Sequence, residues 1–366
     1  MIKQTLGGTG MINKTFQAGG SEYIAKIIDD AVKDGSRNAT VKGNWEIASA
    51  IRIPSNFTLI LDSCHLRMAD GCYSNLFINE HHDTVSGRTI DGTDHNISII
   101  GRGEAILDGG TYNGLSEKNQ LKDGLPPIWK NNLLLFTNVD GFKISNLSFH
   151  NQRWWALNFI FCSNGHISEI DFQANDMAID ENGNIYHGFK RSKYLEVLVK
   201  NADGIDLRQG CHDIVIENIT GFTEDDSIAL TGVNGKLEQT FFVNGLPTDI
   251  CNVTIKNINT ASYCTNVRLL NQGDVCLHDI LIDGVYDMSE NSSHMDRGIY
   301  TVRVGDPNLY GSRQSTRDET YNITIKNVRS RAEYAVQLCG GIRNLIMENV
   351  EAFDGAQLIE DIRTEK

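Results

Sequence analysis

Carboxylates dominate the residues of this chain that could do chemistry, and they recur at a regular interval. Asp203 lies within Asn201-Ala202-Asp203-Gly204-Ile205-Asp206, and Asp225 and Asp226 lie within Thr223-Glu224-Asp225-Asp226-Ser227-Ile228. If each repeat is one turn of a solenoid, residues one period apart sit above one another, because parallel strands are spaced ~4.8 Å apart. These acids would then project together from one face, as acid/base hydrolysis of a glycosidic bond requires. Turn aspartates bound to backbone amides account for isolated acids at strand ends. A doublet beside a third acid one turn away points to chemistry instead. Arg153 is followed by Trp154 and Trp155, an aromatic surface suited to the apolar C–H faces of sugars, with at least one of the pair expected in the core. His187, His212, His278 and His294 are isolated from one another. His294, beside Asp296 and Arg297 in a large loop, is the one most able to reach the acids.

The elements that must position these residues follow from periodicity. From Ser21, the residues Ile24, Ile27, Ile28, Ala31 and Val32 form the stripe of an amphipathic helix, with Ser21 expected to cap it and Gly35 to end it. From about Thr40 the period becomes two, and short strands separated by turn residues follow. After residue 90 a unit of the form apolar-x-apolar-x-Asn-apolar repeats, as in Ile214-Val215-Ile216-Glu217-Asn218-Ile219 and Ile323-Thr324-Ile325-Lys326-Asn327-Val328. Its anchors stand at 146, 169, 196, 218, 257, 283, 327 and 349, with Glu169, Glu196 and Asp283 in place of Asn. The basic period is near 22 to 27 residues, with two enlarged turns at 231–249 and 286–320 expected to form loops. Fixed-period self-similarity of this length signals a solenoid. β-Branched residues dominate, which predicts an all-β, single-stranded, right-handed parallel β-helix with an N-terminal capping helix. The expected organisation is one domain over 1–366, with a cap at about 1–40 and rungs over about 41–360. The repeated Asn suits a ladder at tight turns, where Asn tolerates left-handed backbone. Counting seven residues on from the anchors gives Arg153, Asp176, Asp203, Asp225 and Cys264, with Asp180 and Asp206 a little further along, so these side chains are expected to line one strip.

Composition narrows the partners. A net charge of −14 disfavours the phosphate backbone of nucleic acid, which wants clustered Lys and Arg. No stretch approaches the length of a membrane span. The N-terminal residues lack the apolar core of a secretory signal, and the eight cysteines lack the paired spacing of a zinc site; both features predict a reduced, cytoplasmic protein. No cofactor or metal is expected.

The residues around these acids resemble glycoside hydrolase family 28, the polygalacturonases and their relatives, within the pectin-lyase-like β-helix superfamily. Asn201-Ala202-Asp203-Gly204 resembles the family's Asn-Thr-Asp-Gly motif, Asp225-Asp226 its acidic doublet, and Asn151-Gln152-Arg153-Trp154 its Asn-Ser-Pro-x-Trp segment. The resemblance implies hydrolysis with inversion, with Asp225 as general acid and Asp203 with Asp226 activating water. Stacked rungs would separate atoms by only ~4.8 Å, nearer the separation in retaining enzymes, so spacing alone leaves the stereochemistry open. Two family features are absent. Tyr263-Cys264-Thr265-Asn266 stands where the family has Gly-His-Gly, and neither Val267-Arg268-Leu269-Leu270 nor Gly298-Ile299-Tyr300-Thr301-Val302-Arg303-Val304 supplies the Lys of its Arg-Ile-Lys segment. The expected activity is therefore a glycosidase on a pectin-like or other plant or microbial oligosaccharide or polysaccharide, but not polygalacturonate itself. Arg153, Trp154, Asp176, Asp180, Arg268, His294 and Arg303 are the candidate substrate-binding residues. Two alternatives share the scaffold. One is a lyase or uronate epimerase using Ca²⁺ held by Asp176, Asp180, Glu181 and Asp203; the other is a non-catalytic carbohydrate-binding β-helix.

Overall fold

The computed structural model describes residues 15–110, 127–174, 177–179, 185–187 and 203–363. Parallel strands stack into one 18-stranded sheet that winds as a β-helix. From His212 on, each rung is built from a long bent strand followed by a short one, whereas Leu134–His150 and Trp155–Gln173 are continuous strands that carry both segments. In one rung His212–Thr223 bends at Asn218 and is followed by Ile228–Gly232; in the next, Ile250–Ser262 bends at Asn257 and is followed by Thr265–Asn271. In-register pairs such as Ile216↔Ile255 and Ile255↔Ile282 carry the inward row from rung to rung, and these residues are fully buried. Each such side chain contributes roughly 1.5–3 kcal/mol of burial.

The corners explain why the repeat carries Asn. Asn146, Glu169, Asn218, Asn257, Asn327 and Asn349 all have φ between 52° and 58°, a left-handed conformation that Asn adopts most readily after Gly. Their side chains bond along the solenoid: Asn257 Nδ2 donates to Asn218 Oδ1 and Asn349 Nδ2 to Asn327 Oδ1, each at 2.7 Å. Two of the expected anchors are corrected. The corner after Asn257 is Gly284 (φ 84°), not Asp283; Asp283 lies one residue earlier and accepts from Asn327 Nδ2. Glu196 is outside the described residues, and the sheet passes directly from Trp155–Gln173 to His212–Thr223, with Ile167 opposite Ile216. The intervening segment is therefore an insertion between two strands of one rung, and the counting that treated it as a separate rung is one turn too long.

Helix α1 (Gly20–Lys33) covers the first rung with Ile24, Ile28 and Ala31 buried. Ser21 does not cap it. Its hydroxyl instead donates to Ser49 O and accepts from the Ala48 and Ser49 amides, and the residue before the helix is Gly19 at φ 78°. Gly35 (φ 79°) follows the C-terminal end as expected. The enlarged turn at 231–249 contains a short helix, α2 (Lys236–Thr240), rather than loop alone. The eight cysteines form no disulfide. No described helix is long and apolar enough to cross a membrane.

Candidate active site

The short strands make one face of the solenoid, and the acids gather at its leading edge. Ile205 pairs with Ile228 and Ile228 with Val267, which sets Asp203, Asp226 and Thr265 in register two residues earlier. Asp203 is fixed by its own amide, which donates to Trp154 O at 2.9 Å, and Gly204 N donates to Asp226 O at 2.9 Å. Gly204 is needed for this approach, since a Cβ there would lie 2.4 Å from Ser227 O and 2.8 Å from the Phe172 ring. The turn bearing the doublet is pinned through the Asp225 carbonyl, which accepts from Thr223 Oγ1 at 2.9 Å and Ser262 Oγ at 2.6 Å. Asp225 and Asp203 are half-buried at the edge, while Asp226 and Asp206 are buried behind them.

Three arginines are interleaved with the acids. Arg208 directly follows the strand that carries Asp206 (Asp203–Leu207), and it donates to Asp206 (3.2 Å), to Glu238 of α2 (2.8 Å) and to Asn158 (3.2 Å). Its guanidinium lies 4.1 Å from the centre of the half-buried Trp155 ring. Arg268 donates to Asp226 at 3.1 Å and to Asp306 at 2.6 Å. Arg303, opposite Arg268 in the next rung, donates to Gln337 at 2.5 Å and pairs with Asp306 at 2.8 Å.

The acids outnumber these cations, and burial amplifies the imbalance. Burial first, then the negative charges of Asp206, Asp225 and Asp226, hold the Asp203 carboxyl well above the usual range, against the pull of Arg268. Burial also pushes Asp206 up to about 7, with Arg208 opposing, and Asp226 up to about 6, with Arg268 opposing. Cys264, above the doublet, is kept a neutral thiol by burial and by Asp226 and Asp225. The ligand atoms of Asp225, Asp226 and Cys264 lie within 4.8 Å of one another, close enough to share a cation, although Arg268 already occupies Asp226. A second such group, Glu80, His81 and Asp94, is structural in character. Asp94 is fully buried and accepts from Ser55, Asn79 and His81.

The expected substrate-binding residues divide sharply. Arg153 is fully buried, donating to Gly109 O, Cys72 O and Asn131 Oδ1, so it is a scaffold residue and not a sugar ligand. Trp154 is buried with φ 44°; the accessible ring is Trp155, packed edge-to-face at 5.8 Å. Arg303 is 7% exposed and fully engaged. His294 stacks on Phe222 at 4.5 Å and lines a cavity of about 660 Å³ whose walls include none of Asp203, Asp206, Asp225 and Asp226. Asp176, Asp180 and Glu181 lie outside the described residues. Sequence reasoning gave no role to Arg208, Glu238 or Asp306. The two-residue step from Asp206 to Arg208 is a same-face signal on a strand. Glu238 and Asp306 arrive from irregular segments and carry no periodic signal.

A profile of glycosyl hydrolases family 28 matches residues 78–260, half of the chain. No curated protein sequence matches it. Among solved structures, a hyperthermoactive exopolygalacturonase from Thermotoga maritima superposes with a TM-score of 0.56 at 13% identity, covering 95% of this chain and 88% of that one. A 1,3-α-1,4-β-D-galactose-4-sulfate-3,6-anhydro-D-galactose-2-sulfate 4 galactohydrolase gives 0.52 at 12%, covering 93% and 86%. The tailspike of Escherichia coli bacteriophage HK620, in complex with a pentasaccharide, gives 0.52 at 11%, covering 90% of this chain and 52% of the tailspike. At these identities the likeness is one of fold.

Proposed function

The chain belongs to glycosyl hydrolases family 28, and from that premise we propose that it hydrolyses a glycosidic bond in an oligosaccharide or polysaccharide that is uncharged where it meets the acids. The observation that carries this reading is the occupancy of the arginines. Arg208, Arg268 and Arg303 are each held by carboxylates of the chain itself. The described residues of the strip thus offer no arginine without a carboxylate partner to a sugar carboxylate, and the excess of acid repels one. Trp155, with its ring backed by Arg208, supplies an apolar face for a neutral sugar.

In the proposed reaction Asp225, half-buried at the turn tip, protonates the leaving oxygen. Asp203 and Asp226 hold the attacking water between adjacent rungs. Arg268 favours the ionised form of Asp226, which makes that carboxylate the base, while burial and its acidic neighbours make Asp203 hold its proton more tightly. The elevated Asp203 pKa also supports a second assignment, with Asp203 as the donor. Leaving-group dependence separates the two. A nitrophenyl glycoside departs without protonation, so it should rescue whichever Asn variant has lost the donor. The function itself is tested by screening neutral and acidic oligosaccharides for released reducing sugar with the wild type and D225N. Release from no oligosaccharide, or equal release by both proteins, would refute the hydrolase reading.

A further inference from the structure

We propose that Asp306 sets the sugar charge this site accepts, by acting as a built-in carboxylate that occupies the two arginines an acidic sugar would need. The inference rests on the hydrolase reading for the location of the cleft, but its binding test does not require turnover. Arg268 and Arg303 stand in register with each other and with Ala229 and Asp206, one and two rungs beyond the rung that carries Asp226. Two guanidiniums stacked in this way form a cationic site suited to a carboxylate, which accepts charge-assisted bonds from both. Here a single oxygen of Asp306 fills that position: Oδ2 lies 2.6 Å from Arg268 Nη2 and 2.8 Å from Arg303 Nη1.

The surroundings hold Asp306 there. Its other oxygen accepts from the Asn308 amide at 2.8 Å, and its carbonyl accepts from Gln272 at 3.0 Å and Gln314 at 2.5 Å. Gly305 before it has φ 80°, and a Cβ at that residue would lie 2.2 Å from Cys339 O, so the chain turns at a position only Gly can fill. Asp306 is fully buried while the Arg268 and Arg303 side chains are 13% and 8% exposed, so the cations are the solvent-accessible partners of the group. The result is an alternating line, Asp226–Arg268–Asp306–Arg303, with no net charge when all four are ionised. Tyr310 lies over Arg268 at 5.0 Å and Tyr300 over Arg303 at 4.7 Å, leaving aromatic surface for an uncharged sugar ring.

Removing the Asp306 charge should therefore convert the pair into a receptor for a sugar carboxylate. The test compares wild type, D306N, D306S and D306E, each checked for folding by thermal unfolding. Binding of digalacturonate and of its neutral counterpart galactobiose is measured by calorimetry. Where a cleavable substrate has been found, kcat and KM are measured on it and on its C6-carboxylate form. D306N and D306S should gain tenfold or more in affinity for digalacturonate relative to galactobiose, with the change in KM rather than kcat, and D306E should restore the exclusion. One folded neutral variant is sufficient. An unchanged affinity ratio in a folded neutral variant overturns the proposal, as does wild-type binding of digalacturonate as tight as that of galactobiose. If the binding ratio shifts and no variant turns over any glycoside, the hydrolase reading fails and the specificity role of Asp306 stands.

Discussion

At the scale of single residues, the site balances too many buried acids against three arginines, and this makes two outcomes measurable. The first concerns catalysis. Removing a positioned general acid or base lowers rate by ~10²–10⁴-fold, so D203N, D225N and D226N should each lose that much kcat while remaining folded. A nitrophenyl leaving group should restore D225N much more than D203N or D226N if Asp225 is the donor. Near-wild-type kcat in all three variants would make the strip a scaffold feature. The second outcome concerns pH. Asp206 is raised to about 7 in the folded protein, from ~3.9 in an unfolded chain. The native state therefore binds the proton more tightly, and this contribution to stability is complete below the unfolded value and lost as pH rises through about 7. Wild-type stability, followed by denaturant unfolding from pH 5 to 8, should fall relative to D206N across that window. His82, lowered to about 4 by burial, slopes the opposite way but equally in both proteins, so the difference reports Asp206 together with Asp203, whose carboxyl the Asp206 charge helps to raise. Parallel curves would show that Asp206 titrates near its ordinary value.

At the scale of elements, the corners do as much as the strands to fix where the acids fall. Asn218 and Asn257 combine a left-handed backbone with side-chain bonds up and down the stack: Asn218 donates to Glu169 and accepts from Asn257. Replacing Asn257 with Ala loses two side-chain hydrogen bonds, to Asn218 and from Asn259, of ~0.5–1.5 kcal/mol each, and places a residue in a conformation that disfavours it by roughly 1–2 kcal/mol. N257A should accordingly be about 2–5 kcal/mol less stable by denaturant unfolding, and N257G should recover most of the backbone part. Equal losses in the two variants would assign the effect to the side-chain ladder alone. These corners were legible because a left-handed turn selects Asn and the period repeats it. A second ladder, with Asp213, Asn252, Asp279, Asn322 and Asn344 all near φ 55°, stands at the other end of the same strands and carries the same signal. It passed unnoticed because these residues precede the apolar pattern instead of interrupting it. The acid strip was legible because Asp203 and the doublet recur about one period apart, although the count aligned Asp203 with Asp225 and the strand register aligns it with Asp226. What sequence could not reveal was Glu238 reaching Arg208 from α2, or Asp306 reaching two rungs from an irregular turn. Those contacts depend on the path of non-repeating chain. Arg153 misled for a physical reason as well: an arginine beside tryptophans reads as surface, yet backbone carbonyls and an amide oxygen hold its Nε and Nη1 in the interior.

At the scale of the whole molecule, each rung contacts only its neighbours, so stability is approximately a chain of nearest-neighbour terms that propagates from the ends. The two ends differ. The first rung is closed by α1, whose Ile24 and Ile28 are buried. In the last described rung the inward row is only half covered: Leu345, Met347 and Val350 are partly buried, and Ile359 is 39% exposed. Strands Arg343–Ala352 and Gln357–Asp361 each pair on one side with the preceding rung and with no further described strand. Amides protected by one neighbour open at lower free energy than those held between two. Hydrogen exchange should therefore be fastest in Gln357–Asp361 and Arg343–Ala352, slower in Thr320–Ser330, and slowest in His212–Thr223 and Ile250–Ser262, the rungs that carry the acid doublet. Two substitutions sharpen the expectation. Ile255→Ala removes a fully buried side chain from the middle of the stack and should lower protection across several rungs on both sides, at a cost of about 2–5 kcal/mol. Ile359→Ala should accelerate exchange in the terminal rung alone. Because the acids are held by the most protected rungs, the terminal substitution should leave kcat on any cleaved glycoside unchanged. Uniform protection from the centre to residue 361 would instead mean that the exposed end is covered in solution or that the solenoid unfolds as a single cooperative unit.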